Sequence, residues 1–196
     1  MTTQGRKSIQ RMKRYEIEQK FKVREPAKIR RKVLALGAKS IPGGLQKNEY
    51  FDRRGELRAQ RMVLRLRRDA SGARITLKGP KLPGRFTRRL EYETRVDYAQ
   101  SKAILTGLGF QIFRQYQKKR EEFLLPRCVI ALDRLGTHGW YLEIEGSETA
   151  IARYAGLLGL GPHEREERSY LSIMFPALFR RGRPRSPSRT PNRKAG

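Results

Sequence analysis

The chain has 196 residues, with 45 Lys or Arg against 19 Asp or Glu and a formal net charge of +26. This length suits one domain with appendages and a real core. The charge points to a polyanionic partner (nucleic acid, anionic membrane or a polyphosphate ligand). The lone Cys128 excludes a disulfide framework within the chain, and no apolar run approaches the ~18 residues of a membrane span. The basic N-terminus lacks the apolar stretch of a secretory signal, so a cytoplasmic protein is expected.

Residues 1–13 read as a basic, disordered arm, and 179–196, FRRGRPRSPSRTPNRKAG, as a disordered Arg/Pro/Ser-rich tail. A domain over 14–178 lies between them. Residues 1–14 carry five positive charges and 179–196 carry seven, neither with an acid, which leaves 33 basic and 19 acidic residues in the middle. The first strand pattern, 15–23, sets Glu16 and Glu18 on one face and Tyr15 and Ile17 on the other. Pro26 suits a first helical turn, followed by a stripe of Ile29, Val33, Leu34 and Leu36 before Gly37. Strands are expected near 46–53, 61–68 and 73–79. Arg65 and Arg67 alternate with Leu64 and Leu66; Thr76 and Lys78 alternate with Ile75 and Leu77. Gly79-Pro80-Lys81 reads as a turn.

The strand near 86–96 gathers Arg89, Glu91, Glu93 and Arg95 on one face, opposite Leu90 and Tyr92. Asp97 is a candidate N-cap for a helix carrying Ala103, Ile104 and Leu108. Strands near 112–124 and 127–133 bring Lys118, Arg120 and Asp133, with Cys128 as a buried structural thiol. The strand at 140–146 opposes Glu143 and Glu145 to Leu142 and Ile144, with Trp140 and Tyr141 read as packing residues. Ser147 caps a helix bearing Ile151, Tyr154, Ala155 and Leu158, and Glu164–Phe175 reads as a short fourth helix. His138 and His163 fall in loops.

Many of these strands are separated by turns, which favours an antiparallel sheet. A solvated face would mix Ser, Thr, Gln and Asn with its charges, whereas here fixed charges recur at spacing two. If the sheet curls, those charges line a shared cavity and the helices cover its outside. Such a lining crowds like charges when empty and suits a metal carrying a polyphosphate. The run Lys118-Lys119-Arg120 has the look of a nucleic-acid patch, but the strand phase sends Lys118 and Arg120 to the cavity.

Taken in order, Glu16-Ile17-Glu18-Gln19-Lys20, Tyr50-Phe51-Asp52, Leu64-Arg65-Leu66-Arg67, Leu77-Lys78-Gly79-Pro80-Lys81 and Arg89 with Glu91 and Glu93 resemble the CYTH family. So do Leu108-Gly109-Phe110, Lys118-x-Arg120, Leu132-Asp133 and Gly139 leading to Glu143-Ile144-Glu145. The family includes class IV adenylate cyclases and thiamine or inorganic triphosphatases. The resemblance implies an α+β triphosphate tunnel, a closed antiparallel β-barrel with helices packed outside. The cyclase branch fits best, through Tyr50-Phe51-Asp52, the Lys78–Lys81 segment and the spacing from Asp133 to Glu143. Two departures stand out: Gln46-x-Asn48 replaces a usual Gln-x-Asp, and His138 replaces a usual Leu.

The expected function is a metal-dependent enzyme acting on triphosphates, best read as converting ATP to cyclic AMP and pyrophosphate. The alternatives are an inorganic or thiamine triphosphatase and a non-catalytic polyanion- or RNA-binding protein on the same scaffold. Lys20, Arg65, Arg67 and Lys78 are the candidate catalytic residues, and Arg89, Lys118 and Arg120 complete the phosphate clamp, with planar guanidinium forks beside point-charge ammoniums. For Mg2+ or Mn2+ the first-choice ligands are Glu143 and Glu145 with Glu16 or Glu18, and Glu91, Glu93 and Asp133 form a second set. Expected partners are ATP or another triphosphate, nucleic acid held weakly by the basic tails, and, as one option, a second copy in a homodimer.

Overall fold

Alternation of polar and apolar residues produces eight strands among the described residues, all antiparallel, and in the computed structural model they close into one barrel. The structure describes residues 15–179; the expected arm, and the expected tail beyond Phe179, lie outside them. The strands are β1 (Tyr15–Val23), β2 (Lys39–Asp52), β3 (Val63–Asp69), β4 (Gly72–Leu82), β5 (Thr87–Val96), β6 (Gln111–Leu125), β7 (Cys128–Arg134) and β8 (Trp140–Gly146). Around the barrel they run β1-β5-β4-β3-β2-β6-β7-β8. Closure depends on β1, whose first half pairs with β5 and whose second half pairs with β8. No open edge is then left to recruit another strand.

Among the described residues there are five helices: α1 (Pro26–Ala35), α2 (Glu56–Ala59), α3 (Tyr98–Gly107) and α4 (Glu148–Leu158), and α5 (Tyr170–Met174), which packs on inward-facing residues of the barrel and helps to line its cavity. The outward residues Phe21, Phe123, Ile130, Leu132, Leu142 and Ile144 meet Ile29 and Val33 of α1 and Ile151 and Leu158 of α4 in the main core. Truncating a side chain as enclosed as Phe123 to Ala would cost about 3–5 kcal/mol. Cys128 joins this core, where burial pushes its thiol up to about 12. A separate cluster seats α3 through Leu105 on Phe51 and Leu66. A third packs Tyr170, Leu171 and Ile173 of α5 against Tyr50, Tyr116 and Tyr141.

Local chemistry explains the helix ends. Asp97 accepts from the Gln100 N–H and Ser147 from the Ala150 N–H, as expected of N-caps. Gly159 ends α4 in the left-handed region at φ 75°, which disfavours a side chain.

Several expectations need correction. The α3 stripe is misphased: Leu105 is buried, whereas Ile104 and Leu108 are 62% and 59% exposed. So short a helix docks through one residue, and its few apolar positions do not fix a face. Leu34 of α1 is likewise exposed. Gly79-Pro80-Lys81 is no turn but a register shift inside β4, a bulge between Lys78 and Lys81 that bends the strand without ending it. β2 begins at Lys39, seven residues early, because a similar irregularity between Ile41 and Gly44 absorbs the Pro-Gly-Gly sequence. A Cβ on Gly43 would collide with the Arg120 carbonyl oxygen, so β2 can approach β6 there only without a side chain. The fourth helix shrinks to α5, and α2 was not anticipated. Asp52 builds α2 by accepting the Leu57 and Arg58 N–H groups and the Arg58 guanidinium.

Candidate active site

The strand pleat turns Glu16, Glu18 and Lys20 of β1, Arg65 and Arg67 of β3, and Lys78 of β4 into one cavity of about 1530 Å³. Arg89, Glu91 and Glu93 of β5, Lys118 and Arg120 of β6, and Glu143 and Glu145 of β8 line the same cavity. Of the sequence-selected residues Asp133 alone stands behind the wall, wholly enclosed. The volume exceeds the roughly 300–1,000 Å³ of most small-molecule sites, leaving room for a nucleoside triphosphate.

Register decides which charges meet. Lys20 lies opposite Glu143, and Lys78 opposite Glu91. Their ammonium groups pair accordingly: Lys20 with Glu143 at 3.1 Å, and Lys78 with both Glu91 and Glu16 at 2.6 Å. Glu93 gathers Arg65, Arg67 and the Thr76 hydroxyl, the last at 2.7 Å. Asp133 accepts from Lys118 at 2.9 Å, from Arg120 at 2.6 and 2.8 Å, and from the Tyr170 hydroxyl at 2.7 Å. Arg120 also reaches Glu143.

The acids divide by environment. Burial opposes the charge of Glu143, but Lys20, Lys118 and Arg120 outweigh it and hold the carboxyl well below its usual range. Burial and the nearby Glu16 push Glu145 up to about 7. Burial and a hydrogen bond with Glu91 do the same for Glu16, against the pull of Lys78. Glu18 is raised by burial and by Glu143. Lys118 is depressed to about 8 by burial and by the adjacent Arg120.

Two kinds of group remain unmatched. Glu18 and Glu145 face each other directly across β1 and β8, and among the described residues neither has an ion-pair partner. On the basic side, the Nε atoms of Arg65 and Arg67 are buried without an acceptor. Among the described residues no three His, Cys, Asp or Glu side chains are grouped as a ready metal site. The opposed Glu18 and Glu145 nonetheless fit Mg2+ or Mn2+, since Mg2+ uses one or two carboxylates plus waters and substrate phosphates. Of the expected second set, Glu91 pairs with Lys78 and Glu93 with Arg65 and Arg67, much as Glu16 pairs with Lys78 and Glu143 with Lys20 and Arg120, while Asp133 is set apart by its full enclosure. Arg89 is also largely spent, its Nε and Nη2 both donating to the Gly79 carbonyl at the β4 bulge.

Several interior residues were not assigned to the site from the sequence, although Tyr50, Gln46 and Asn48 figured in the family resemblance. Tyr50 and Tyr116 stack at 5.6 Å and join hydroxyls at 3.0 Å beside the arginines. The Tyr170 ring lies 4.2 Å from Lys20 Nζ and 4.5 Å from Lys118 Nζ. Gln46 and Asn48 also face inward, opposite Lys118 and Arg67, each with an orphaned side-chain oxygen. Alternation marks the inward face of β2, but uncharged residues on it do not announce a site. Trp140 packs against the main core and Tyr141 edge-on to Tyr170, as expected, and His138 and His163 lie exposed in short 3-10 turns. Lys81 donates to the Glu167 carbonyl. Among the described residues no helix is long and apolar enough to cross a membrane.

The sequence and the fold both have known counterparts. A Methanocaldococcus jannaschii protein named "Putative adenylate cyclase" is 29% identical over 140 residues, 69% of this chain and 79% of that protein. A Pyrococcus horikoshii protein of solved structure is 28% identical, with TM-score 0.71 over 81% of this chain and 98% of its own. A Vibrio parahaemolyticus structure, also named a putative adenylate cyclase, shares the fold at TM-score 0.74 and 23% identity, over 82% of this chain and 98% of its own. The CYTH domain profile matches residues 14–157. The chain belongs to the CYTH domain family.

Proposed function

We propose that the protein is a metal-dependent enzyme that binds a nucleoside triphosphate in the barrel and converts ATP to cyclic AMP and pyrophosphate. One observation carries the triphosphate reading. The cavity has unmatched anions on one wall, Glu18 and Glu145, and unmatched donors on the other, Arg65 Nε and Arg67 Nε. A magnesium–polyphosphate complex would supply both missing partners at once, a cation for the carboxyls and acceptor oxygens for the Nε donors. The choice of cyclisation rests on the archaean relative's name and on an apolar surface beside Arg65, formed by the rings of Tyr50 and Phe113 with Leu171, against which a base can lie.

In this reading Arg65 and Arg67 grip phosphate oxygens through their planar forks, and Lys20, Lys78, Lys118 and Arg120 neutralise charge along the chain of phosphates. Charge stabilisation of this kind supplies most of the rate in phosphoryl chemistry. Glu18, Glu143, Glu145 and Glu16 are the proposed metal-holding residues. Bound there, a divalent cation would stabilise charge on the attacking and leaving oxygens. The ribose 3′-hydroxyl attacks the α-phosphorus in line and releases its proton to solvent, the bond from the α-phosphorus to the bridging oxygen breaks, and pyrophosphate leaves into the basic wall.

Hydrolysis is the second reading. It is favoured because the charged lining serves phosphate and metal alone, and cleavage of a terminal phosphate needs no hold on base or ribose. Product analysis with ATP, tripolyphosphate and thiamine triphosphate, each with Mg2+ and Mn2+, separates the two. Cyclic AMP and pyrophosphate from ATP support cyclisation. ADP and phosphate alone, or much faster turnover of tripolyphosphate, replace it with a triphosphatase.

A further inference from the structure

The outer face of the barrel carries a second basic feature that the tunnel does not use. Lys119 sits between the inward Lys118 and Arg120 and therefore points outward. Register places it opposite Arg134 of β7, while on the neighbouring strands Lys47 of β2 lies opposite Arg68 of β3. Lys47 is itself opposite Gln117, two residues from Lys119, so the four cations form a row across β3, β2, β6 and β7. Directly opposed positions are ~5 Å apart at Cβ and diagonal ones ~7–8 Å. All four side chains are exposed, and among the described residues none has an ion-pair partner.

Two directly opposed like-charge pairs are unfavourable in an isolated sheet. Nearby acids do not relieve them: Glu49 is held by Lys102 and Glu121 by Arg30. Each end of the row also carries an arginine over an aromatic ring, Arg68 at 4.6 Å from the Tyr98 centroid and Arg134 at 5.9 Å from that of Trp140. Between them the exposed neighbours Gln115 and Gln117 offer amide donors and acceptors.

We propose that Arg68, Lys47, Lys119 and Arg134 form an external binding track for single-stranded nucleic acid, separate from the tunnel. The row supplies regularly spaced phosphate contacts, the glutamines hydrogen-bond to backbone and sugar, and the arginine–aromatic ends offer flat surfaces for base stacking. An anionic membrane is the weaker match, because Leu45 is the one exposed large apolar residue of β2 beside the row and gives little to insert.

The test uses the full chain and a fluorescent uridine homopolymer across a range of salt concentrations. Single-strand binding loses ~0.7 in the slope of log affinity against log salt for each phosphate contact removed. The variant Lys47→Gln, Arg68→Gln, Lys119→Gln and Arg134→Gln should therefore lower the slope by about 2.8 and weaken binding at least about tenfold at low salt. Its tunnel activity and melting temperature should not fall. A charge-matched control, Arg24→Gln, Arg31→Gln, Arg127→Gln and Arg153→Gln, should keep the wild-type slope. The proposal is overturned if the track variant binds like wild type, or if the control loses as much, since net charge alone would then explain the binding. It is also overturned if phosphatidylserine vesicles, and not the homopolymer, lose affinity for the track variant.

Discussion

Glu145→Gln should raise the melting temperature of the ligand-free protein at pH 8 and change it little at pH 4.5. The carboxyl lies opposite Glu18 and is pushed from 4.5 to about 7 by burial and by Glu16. The native state thus retains a proton that the unfolded chain releases as pH rises past 4.5. Stability associated with this group is complete below 4.5 and is lost as pH climbs through about 7. At 1.36 kcal/mol per unit the displacement corresponds to roughly 3 kcal/mol. The side chain opens onto the cavity, however, and solvent screening reduces the expected gain from removing its charge to about 1 kcal/mol. In a chain of this size that is about 2–4 °C. Thermal unfolding of both proteins at half-unit steps from pH 4.5 to 8 reads the effect directly. Parallel curves over the whole range would refute the claim that Glu145 is crowded by Glu16 and Glu18.

Three other outcomes follow from the same geometry. Arg65→Ala should cut turnover by about 10²–10³ and leave the far-UV spectrum and melting temperature near wild type; unchanged kinetics in the folded variant would remove Arg65 from the clamp. Asp133→Asn should destabilise by about 3–5 kcal/mol, because it removes the acid that Lys118 pairs with and leaves Arg120 only its other acids in a buried wall, and a denaturant midpoint equal to wild type would show that the network contributes nothing. Excess EDTA should abolish turnover, and full activity in the chelator is incompatible with any metal held at Glu18 and Glu145.

Strand periodicity carried nearly the whole barrel, because period-two alternation of charge with Leu, Ile or Phe leaves one face that must be covered and one that must be enclosed. The β8 boundaries, the Asp97 and Ser147 caps and the inward set from Glu16 to Glu145 were legible for that reason. What was not legible depends on partners far apart in the chain. Asp133 looked like any other carboxylate at spacing two, and only the fold brings Lys118, Arg120 and Tyr170 around it and removes it from the cavity. Arg89 is diverted by a carbonyl freed at a bulge, and the bulge itself was hidden because Gly-Pro reads locally as a turn. Tyr50, Tyr116 and Asn48 carry no charge, so alternation gave them no distinguishing mark.

Pairing inside the barrel also bears on how it would take up metal and triphosphate. Each cation proposed to grip phosphate is already oriented by an acid: Lys78 between Glu16 and Glu91, Lys20 against Glu143, Arg65 and Arg67 against Glu93. A triphosphate entering the basic wall competes for those cations, and the acids it displaces become more available to a divalent ion. Metal and triphosphate should therefore bind with positive coupling, and linkage requires the same factor in both directions. A coupling of 1–3 kcal/mol, about 5–150-fold, is the usual range. Isothermal titration of tripolyphosphate with and without Mn2+, and of Mn2+ with and without tripolyphosphate, should give equal factors above one, after correction for the complex formed in solution. In Glu18→Gln the factor should shrink towards one while tripolyphosphate alone binds at least as tightly as to wild type, since an opposing anion has gone. A factor unchanged by that substitution would place the metal elsewhere.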